Sequence, residues 1–423
     1  MTPAARLSAA IEVIAAIDDQ RIPAAKALKE WGTAHRFAGS GDRAAISGLI
    51  YDVLRRQASS AWIMDDDTPR ARVLGMLTTE RGLGVEAIAA FCDGSRFAPE
   101  ALSDSDAPAH IAGDYPEWLD GHLAEVFGDE RVAEATAMAS RAPLDLRVNT
   151  LKAKREKVLG SLAHLGAVAT PWSPIGLRIV LGADARNPGV HAEEDFIKGA
   201  VEVQDEGSQI AALMSGAKPG EQVIDLCAGA GGKTLALAAM MQGKGRLIAT
   251  DDDKRQLAPI HERLSRAGVH NADVRTPKGA ADTLADIKAS ADLVFVDAPC
   301  TGTGTWRRNP DAKWRMRPGA LEVRVREQAE VLDRAASLVK PGGRIAYVTC
   351  SVLAPENSGQ VAAFTARHPE FAVVPPQQTA AVLWDKAEAF VEAARLTDQG
   401  LLMTPHRTGT DGFFVSLLTR KKA

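Results

Sequence analysis

The sequence predicts a chain of several domains, the last of which is an α/β domain with a mostly parallel sheet covered by helices. Three observations favour this fold class. Residues 1–135 follow a helical pattern, residues 136–215 mix short strand and helix patterns, and from residue 216 short apolar runs alternate with helical segments. A length of 423 residues gives room for two or three domains. We therefore expect an all-α domain at 1–135, a small α+β module at 136–215 and the α/β domain at 216–423.

The N-terminal domain is predicted from apolar residues that recur at helical spacing. One stripe consists of Ala10, Ile11, Val13, Ile14 and Ile17. Residues 42–56 read as a second helix of the same kind. No residue of this region suggests catalytic chemistry, so we expect a helical bundle.

The pattern changes near residue 140. Residues 146–149 and 177–181 read as short strands, and residues 155–165 between them read as a helix. These elements predict the small α+β module.

Four apolar runs predict the strands of the α/β domain. They are residues 223–226, 247–249, 293–296 and 345–348. Cys227, Cys300 and Cys350 each stand shortly after one of these runs. Because ligands of such sheets bind beyond the carboxyl ends of the strands, we expect the functional site there.

Composition and charge exclude several classes of protein. Hydrophobic residues make up 46% and charged residues 25% of the chain, and no apolar run approaches the roughly 18 residues that span a membrane. The N-terminus does not resemble a secretory signal, so we expect a cytoplasmic protein. The four cysteines form no Cys-x-x-Cys pair, so we expect free thiols and no metal site. A net charge of −4 indicates that any contact with nucleic acid uses a local basic surface.

A glycine-rich loop follows the first strand of the α/β domain. Its residues are Cys227, Ala228, Gly229, Ala230, Gly231, Gly232 and Lys233. Glycines let the backbone turn tightly and approach a ligand at the N-terminus of the next helix. The ending Gly232-Lys233-Thr234 fits the phosphate-binding loop of an NTPase, but that motif requires a glycine where Cys227 stands. A P-loop-like NTPase is therefore one interpretation of this segment.

The other interpretation is a loop that binds S-adenosylmethionine. It predicts an acidic residue at the end of the second strand, where a carboxylate holds the ribose hydroxyls. Asp251 stands there, 24 residues after Cys227, although it could instead cap the next helix, as could Asp252 or Asp253. The loop and the acidic strand end together favour S-adenosylmethionine as the cofactor, bound by residues 227–233 and Asp251.

Two further motifs at strand ends suit chemistry on a pyrimidine. They are Asp297-Ala298-Pro299-Cys300 and Thr349-Cys350-Ser351. Carbon 5 of cytosine is a weak nucleophile, and a thiolate that adds to carbon 6 activates it toward a methyl donor. Lys233 could favour the thiolate, and Asp297 could hydrogen-bond to the base. The alternative, two buried thiols that only pack, becomes less favoured when both motifs and the glycine-rich loop are considered together.

On these residues the chain resembles the RsmB/Nop/Sun family of RNA 5-methylcytosine methyltransferases. The matching segments are DLCAGAGGKT at 225–234, DAPCTG at 297–302, TCS at 349–351, PEN at 355–357 and GTDGFF at 409–414. Domain 1–135 is similar to the NusB-like RNA-binding domain of bacterial RsmB-type members. Domain 216–423 is similar to their seven-stranded, Rossmann-like class I methyltransferase domain.

The resemblance implies roles for individual residues. Cys350 would be the nucleophile, Cys300 would assist release of the product, and Asp297 would line the pocket of cofactor and base together with the glycine-rich loop. DNA cytosine methyltransferases use the cysteine of a Pro-Cys pair as the nucleophile. The second cysteine here, Cys350, therefore favours RNA as the substrate. The implied substrate is small-subunit ribosomal RNA or transfer RNA, with no obligate protein partner inferred. A non-catalytic RNA-binding factor is the remaining alternative.

A basic segment follows the motif that contains Cys300. Residues 306–317 hold five basic residues and two tryptophans. Arginine and lysine contact phosphates, and aromatic rings stack on unpaired bases. We therefore expect an RNA-binding loop whose contacts are Arg307, Arg308, Lys313 and Arg315.

Overall fold

The computed structural model describes residues 1–100, 113–181, 188–277 and 282–422. Their contacts divide them into two compact units. The first contains Met1–Arg141 and Thr305–Met316, and the second contains the other described residues. The contacts thus group the small α+β module with the α/β domain. The domain boundaries predicted from the sequence, at 135 and 215, stay predictions.

The described residues of the first unit form helices and no strand. Its consecutive α-helices are α1 (Pro3–Gln20), α2 (Ala24–Ala34), α3 (Ser40–Arg55), α4 (Gln57–Ile63), α5 (Pro69–Thr79), α6 (Val85–Ala89), α7 (Asp120–Phe127) and α8 (Arg131–Ala139). Helix α1 begins where the Thr2 hydroxyl accepts a hydrogen bond from the Ala5 amide at 3.2 Å, and Pro3 occupies its first turn. The predicted stripe is buried at four of its five positions, the exception being the half-buried Ile11. The helical pattern is therefore confirmed here.

The second unit begins with a four-stranded antiparallel sheet. Its strands are β1 (Leu144–Val148), β2 (Val168–Ala169), β3 (Gly176–Ile179) and β4 (Val201–Val203), in the order β2-β3-β1-β4. Helices α9 (Arg155–Ser161) and α10 (Glu194–Ile197) accompany it, and α11 (Glu206–Met214) follows it. The predicted strand, helix and strand of the α+β module are thus present, with α9 shorter than the pattern indicated.

The larger sheet contains nine strands in the described part of the chain. They are β5 (Gln222–Asp225), β6 (Arg246–Thr250), β7 (Ala272–Arg275), β8 (Ala291–Asp297), β9 (Val339–Thr349), β10 (Phe371–Val373), β11 (Arg395–Thr397), β12 (Gly400–Met403) and β13 (Phe413–Arg420). The order is β11-β12-β13-β9-β8-β5-β6-β7, and β10 pairs with β13.

The prediction of a mostly parallel, seven-stranded sheet is wrong. Strands β5 to β9 pair in parallel, but the four pairings made by β10 to β13 are antiparallel, so the sheet is mixed. The physical reason is the connections: β11, β12 and β13 follow one another without a crossover helix, and such connections give antiparallel neighbours.

Helices follow or separate the strands of the second unit. In chain order the remaining ones are α12 (Gly232–Met240), α13 (Lys254–Leu257), α14 (Ile260–Ala267), α15 (Pro310–Arg315, in the first unit), α16 (Gly319–Leu338), α17 (Ser358–Arg367), α18 (Pro376–Ala380) and α19 (Ala387–Ala393). None of the helices in the described ranges is both long and apolar enough to cross a membrane.

The order of the parallel strands locates the site. From β5 the chain proceeds to β6 and β7 on one side and then returns to β8 and β9 on the other. The carboxyl ends of β5 and β8 therefore flank the point where the order reverses, which is where ligands of open α/β sheets bind.

Candidate active site

The glycine-rich loop connects β5 to α12 at this point. Gly229 and Gly231 have φ angles of 50° and 84°, which favour glycine. At Gly231 a Cβ atom would also lie 2.5 Å from Cγ1 of Ile260, whereas at Gly229 it would meet no atom within 4 Å. The loop is therefore packed against α14 on one side and has open space beside Gly229.

Asp251 is bound to this loop. One carboxylate oxygen accepts a hydrogen bond from the Gly229 amide at 2.9 Å, and the other accepts one from the Asp253 amide at 2.9 Å. The cap of α13 is Asp253, whose carboxylate accepts from the Arg255 amide. Asp251 is thus not the helix cap, and its contact with the ribose of the cofactor stays a prediction.

Arg263 of α14 supports the loop from the other side. Its guanidinium donates to the Ala230 carbonyl at 2.8 Å and to the Glu202 carboxylate at 3.0 Å. It therefore joins the loop to strand β4 of the small sheet. Arg263 was not predicted as a site residue, because nothing in the helical pattern of α14 distinguishes it from a surface arginine.

Asp225 is the last residue of β5 and is fully buried. One carboxylate oxygen accepts from the Thr234 hydroxyl at 2.6 Å, and the other has no hydrogen-bond partner. Burial raises the pKa of this carboxyl to about 7. Asp225 is a second residue that the sequence analysis did not assign to the site, although the matching segment included it.

Lys233 and Asp297 form an ion pair at the same edge of the sheet. The ammonium of Lys233 lies 2.6 Å from a carboxylate oxygen of Asp297 and 5.0 Å from the centre of the Phe413 ring. Burial alone would lower the pKa of Lys233, but the charge and hydrogen bond of Asp297 and the charge of Cys350 together raise it. Lys233 is therefore a charged group that pairs with the carboxylate of Asp297 and interacts electrostatically with Cys350.

The two cysteines meet because β8 and β9 are parallel neighbours whose ends lie side by side. The sulfur atoms of Cys300 and Cys350 are 3.3 Å apart. The hydrogen bond to Cys350 and burial raise the pKa of the Cys300 thiol well above its ordinary value. Burial likewise raises the pKa of the Cys227 thiol, with a further contribution from neighbouring carboxylates. Cys300 and Cys227 are therefore thiols at neutral pH.

The basic segment has different surroundings from those expected. Lys313 is 1% exposed and donates to the Arg55 carbonyl at 3.0 Å, and Arg307 is 5% exposed. The burial of these two side chains argues against the predicted contacts of Arg307 and Lys313 with RNA, because the segment packs into the helical unit. Arg315 is exposed and pairs with Asp311 at 3.1 Å, and Arg308 is half-buried. For Arg308 and Arg315 a contact with RNA stays a prediction.

A glycine-rich loop after one parallel strand and a carboxylate after the next form a nucleotide-type cofactor site, which fits the class of S-adenosylmethionine-dependent methyltransferases. The comparisons agree with this class. A family model described as 16S rRNA methyltransferase RsmB/F matches residues 212–419, and one for the ferredoxin-like domain of RsmF/B-like methyltransferases matches residues 115–185.

Relatives and solved structures extend the match. Ribosomal RNA small subunit methyltransferase B of Sodalis glossinidius is 32% identical over 77% of this chain and 70% of its own length. The probable methyltransferase of the same name from Bacillus subtilis is 32% identical over 76% of this chain and 70% of its own. The crystal structure of PH0851 has a TM-score of 0.76 and 27% identity and covers 99% of both chains.

The chain belongs to the RsmB/F family of methyltransferases. It is an enzyme whose methyl donor is S-adenosylmethionine, and the NTPase interpretation of the glycine-rich loop is wrong. The residues present fit this cofactor, because the loop leaves open space beside Gly229 and the carboxylate of Asp251 adjoins it.

Proposed function

We propose that this enzyme methylates carbon 5 of a cytosine in small-subunit ribosomal RNA through a covalent bond between Cys350 and the base. The observation that supports this most is the pair of sulfur atoms 3.3 Å apart, beside the ion pair of Lys233 and Asp297 and next to the glycine-rich loop. A fold of this class needs no cysteine for methyl transfer to a strong nucleophile. Two adjacent thiols suit a carbon atom that must first be activated.

The reaction divides into addition, methyl transfer and elimination. The thiolate of Cys350 forms a bond to carbon 6, and the electron pair of the double bond between carbons 5 and 6 becomes available at carbon 5. The bound cofactor supplies an electrophilic methyl group. Loss of the proton from carbon 5 then restores the double bond and expels the sulfur of Cys350. The chain's own part is to hold a thiolate, orient the base and provide groups that move protons.

The electrostatics distinguish the two cysteines. The ammonium of Lys233 interacts electrostatically with Cys350 and forms an ion pair with Asp297. Cys300 has a raised pKa and stays a thiol, so it suits the elimination rather than the attack: its proton passes to the departing sulfur of Cys350, and the thiolate then left on Cys300 accepts the proton from carbon 5. Asp297 is fixed by Lys233 and keeps part of its side chain exposed, so it can hydrogen-bond to the pyrimidine. The glycine-rich loop and Asp251 would hold the cofactor.

The substrate is inferred from the relatives, whose names place their activity on the small ribosomal subunit. A cytosine must be flipped out or already unpaired to reach a thiol at a strand end, at a cost of a few kcal/mol. We further propose that residues 1–135 form a NusB-like RNA-binding domain, that Arg308 and Arg315 contact the RNA, and that the enzyme acts in the cytoplasm. Transfer RNA is the alternative substrate.

Two cysteine variants test the mechanism. Cys350→Ala should abolish methylation and covalent capture, whereas Cys300→Ala should accumulate a protein–RNA adduct that survives a denaturing gel. An adduct in the Cys350 variant alone would reverse the two roles. Bisulfite sequencing of RNA from cells without the gene identifies the target, and a lost mark in transfer RNA instead of ribosomal RNA would contradict the proposed substrate.

A further inference from the structure

A buried glutamate connects the two segments that carry the cysteines. Glu356 is fully buried. One carboxylate oxygen accepts hydrogen bonds from the Thr301 amide at 2.8 Å and from Gln328 at 3.0 Å. The other accepts from the Thr301 hydroxyl at 2.5 Å and from the Ser351 hydroxyl. Each cysteine is therefore one residue away from a group that binds the same carboxylate.

The position of Glu356 is itself fixed by hydrogen bonds to β9 and to the residues that follow this strand. Its carbonyl accepts a hydrogen bond from the Tyr347 hydroxyl at 2.7 Å, and Tyr347 lies on β9. The following residue, Asn357, donates to the Ser351 carbonyl at 2.8 Å and accepts from the Thr349 hydroxyl at 2.5 Å. The carboxylate thus stands at a defined position relative to the end of β9.

Helix α16 completes the arrangement on the side of Cys300. The amide of Gln328, which is fully buried, donates to Glu356 and also to the Pro299 carbonyl at 2.9 Å. Both neighbours of Cys300 in the chain are therefore held by the same small group of side chains. The backbone on both sides of Cys300 is therefore restrained as long as these hydrogen bonds are intact.

The energetics favour a positional role. A buried carboxylate without partners is strongly unfavourable, and the four hydrogen bonds that Glu356 accepts offset that cost. All four donors must stay in place for the charge to stay compensated. A displacement of either cysteine segment would break a charge-assisted hydrogen bond, so the buried charge resists relative movement of the two sulfur atoms.

We propose that Glu356 is a positioning residue that fixes the sulfur atoms of Cys300 and Cys350 relative to each other. The proposal rests on the roles proposed above for the two cysteines. A misplacement of reacting groups by about 1 Å can cost on the order of 100-fold in rate, so Glu356 should matter for catalysis without touching the cofactor or the base.

The first test needs no RNA and measures how closely the two thiols are held. Diamide, an azo oxidant, accepts two hydrogens and converts the two thiols into a disulfide, which shortens the distance between the sulfur atoms from 3.3 Å to about 2.05 Å. Mass spectrometry of the intact chain and of its peptides follows the loss of two hydrogens from the pair Cys300 and Cys350. Glu356→Ala should slow this reaction at least about tenfold.

Two variants separate positioning from loss of stability. Glu356→Gln should stay within about threefold of the wild type, because its amide oxygen can still accept from Thr301 and the hydroxyls can reverse their roles. Glu221→Gln is the matched control: Glu221 forms a bidentate pair with Arg344 before β5, at the opposite edge of the sheet, and should leave the rate unchanged. If Glu356→Ala reacts like the wild type, or if Glu221→Gln slows equally, the proposal is wrong.

If Glu356→Ala does not fold, the double variant Thr301→Val with Ser351→Ala answers the same question. It removes the two hydroxyl donors and leaves Glu356 in place, and it should slow disulfide formation by about fivefold. Oxidation at the wild-type rate in this variant would overturn the proposal.

The second test measures a step of catalysis, the formation of the RNA adduct. In the Cys300→Ala background, Glu356→Ala should slow formation of the RNA adduct by about 30-fold while the Kd for S-adenosylhomocysteine stays within about twofold. Equal adduct rates with and without Glu356 would contradict positioning. If no adduct forms in either background, the proposed cysteine roles fail, and the diamide rates still decide the role of Glu356.

Discussion

Lys313 is a buried ammonium group, and its replacement by methionine should change how the stability of the helical unit depends on pH. Burial lowers the pKa of Lys313 from 10.5 to about 7. Between these two values the unfolded chain holds a proton that the folded chain lacks, so the free energy of unfolding rises with pH. This lowering of the pKa corresponds to a penalty of about 5 kcal/mol at low pH, of which about 2 kcal/mol is recovered between pH 7 and pH 9.

Lys313→Met removes this penalty but leaves the Arg55 carbonyl without its donor, which costs about 1–3 kcal/mol. We therefore expect the variant to be about 2 kcal/mol more stable than the wild type at pH 7. It should lack the wild-type gain of about 2 kcal/mol between pH 7 and pH 9. Urea unfolding followed by tryptophan fluorescence at both pH values measures this.

Lys29→Met is the control, because Lys29 lies in the same unit with its side chain exposed. This variant should keep the full pH dependence. A Lys313→Met protein that gains as much stability between pH 7 and pH 9 as the wild type would refute the reasoning. So would a loss of RNA affinity in Lys313→Met with unchanged stability, which would restore the role that the sequence suggested.

Three further predictions concern the cofactor side of the site. Burial raises the pKa of Asp225 from 3.8 to about 7, so stability should fall as pH rises through this interval, and Asp225→Asn should flatten that fall in urea titrations. Arg263→Ala removes the hydrogen bond to the Ala230 carbonyl and should raise the Kd for S-adenosylhomocysteine about three- to tenfold by calorimetry. Gly231→Ala would place a Cβ atom 2.5 Å from Ile260 and should lower Tm and abolish binding of S-adenosylhomocysteine.

Each of these predictions has an outcome that contradicts it. An unchanged pH slope in Asp225→Asn would mean that this carboxyl is not the group that titrates. An unchanged Kd in Arg263→Ala would mean that the loop keeps its shape without the guanidinium. A Gly231→Ala protein with wild-type Tm and Kd would mean that the loop can move away from α14.

The proximity of the two cysteines could be predicted from the sequence because it depends on strand ends alone. Two apolar runs predicted β8 and β9, and parallel neighbours bring the residues that follow them to one edge. The antiparallel part of the sheet could not be predicted in the same way. Strands β10 and β11 have three residues each, too few for a periodic pattern to identify them.

The surroundings of the basic segment were not predictable, because they depend on contacts between distant parts of the chain. Lys313 binds the carbonyl of Arg55, which lies 258 residues earlier, and Trp314 binds that of Leu54, 260 residues earlier. A run of arginine, lysine and tryptophan has the same composition on a surface and in a packed segment. The role of Glu356 was hidden for a similar reason: the motif PEN stood in the matching segments, but its partners lie on other elements.

The three cysteines at the same sheet edge differ in the charged groups that surround them, which bears on the proposed nucleophile. Carboxylates around the glycine-rich loop add to burial in raising the pKa of Cys227, and the charge of Glu356 adds to the hydrogen bond and burial in raising that of Cys300. Cys350 shares its surroundings with the ammonium of Lys233, which is kept charged by Asp297. Asp225 and Asp297, which contribute to the raised pKa of Cys227, also contribute to the raised pKa of Lys233. Exposure does not separate the three cysteines, since all are half-buried, and the proposed choice of Cys350 depends instead on its place beside Cys300 and the Lys233–Asp297 pair.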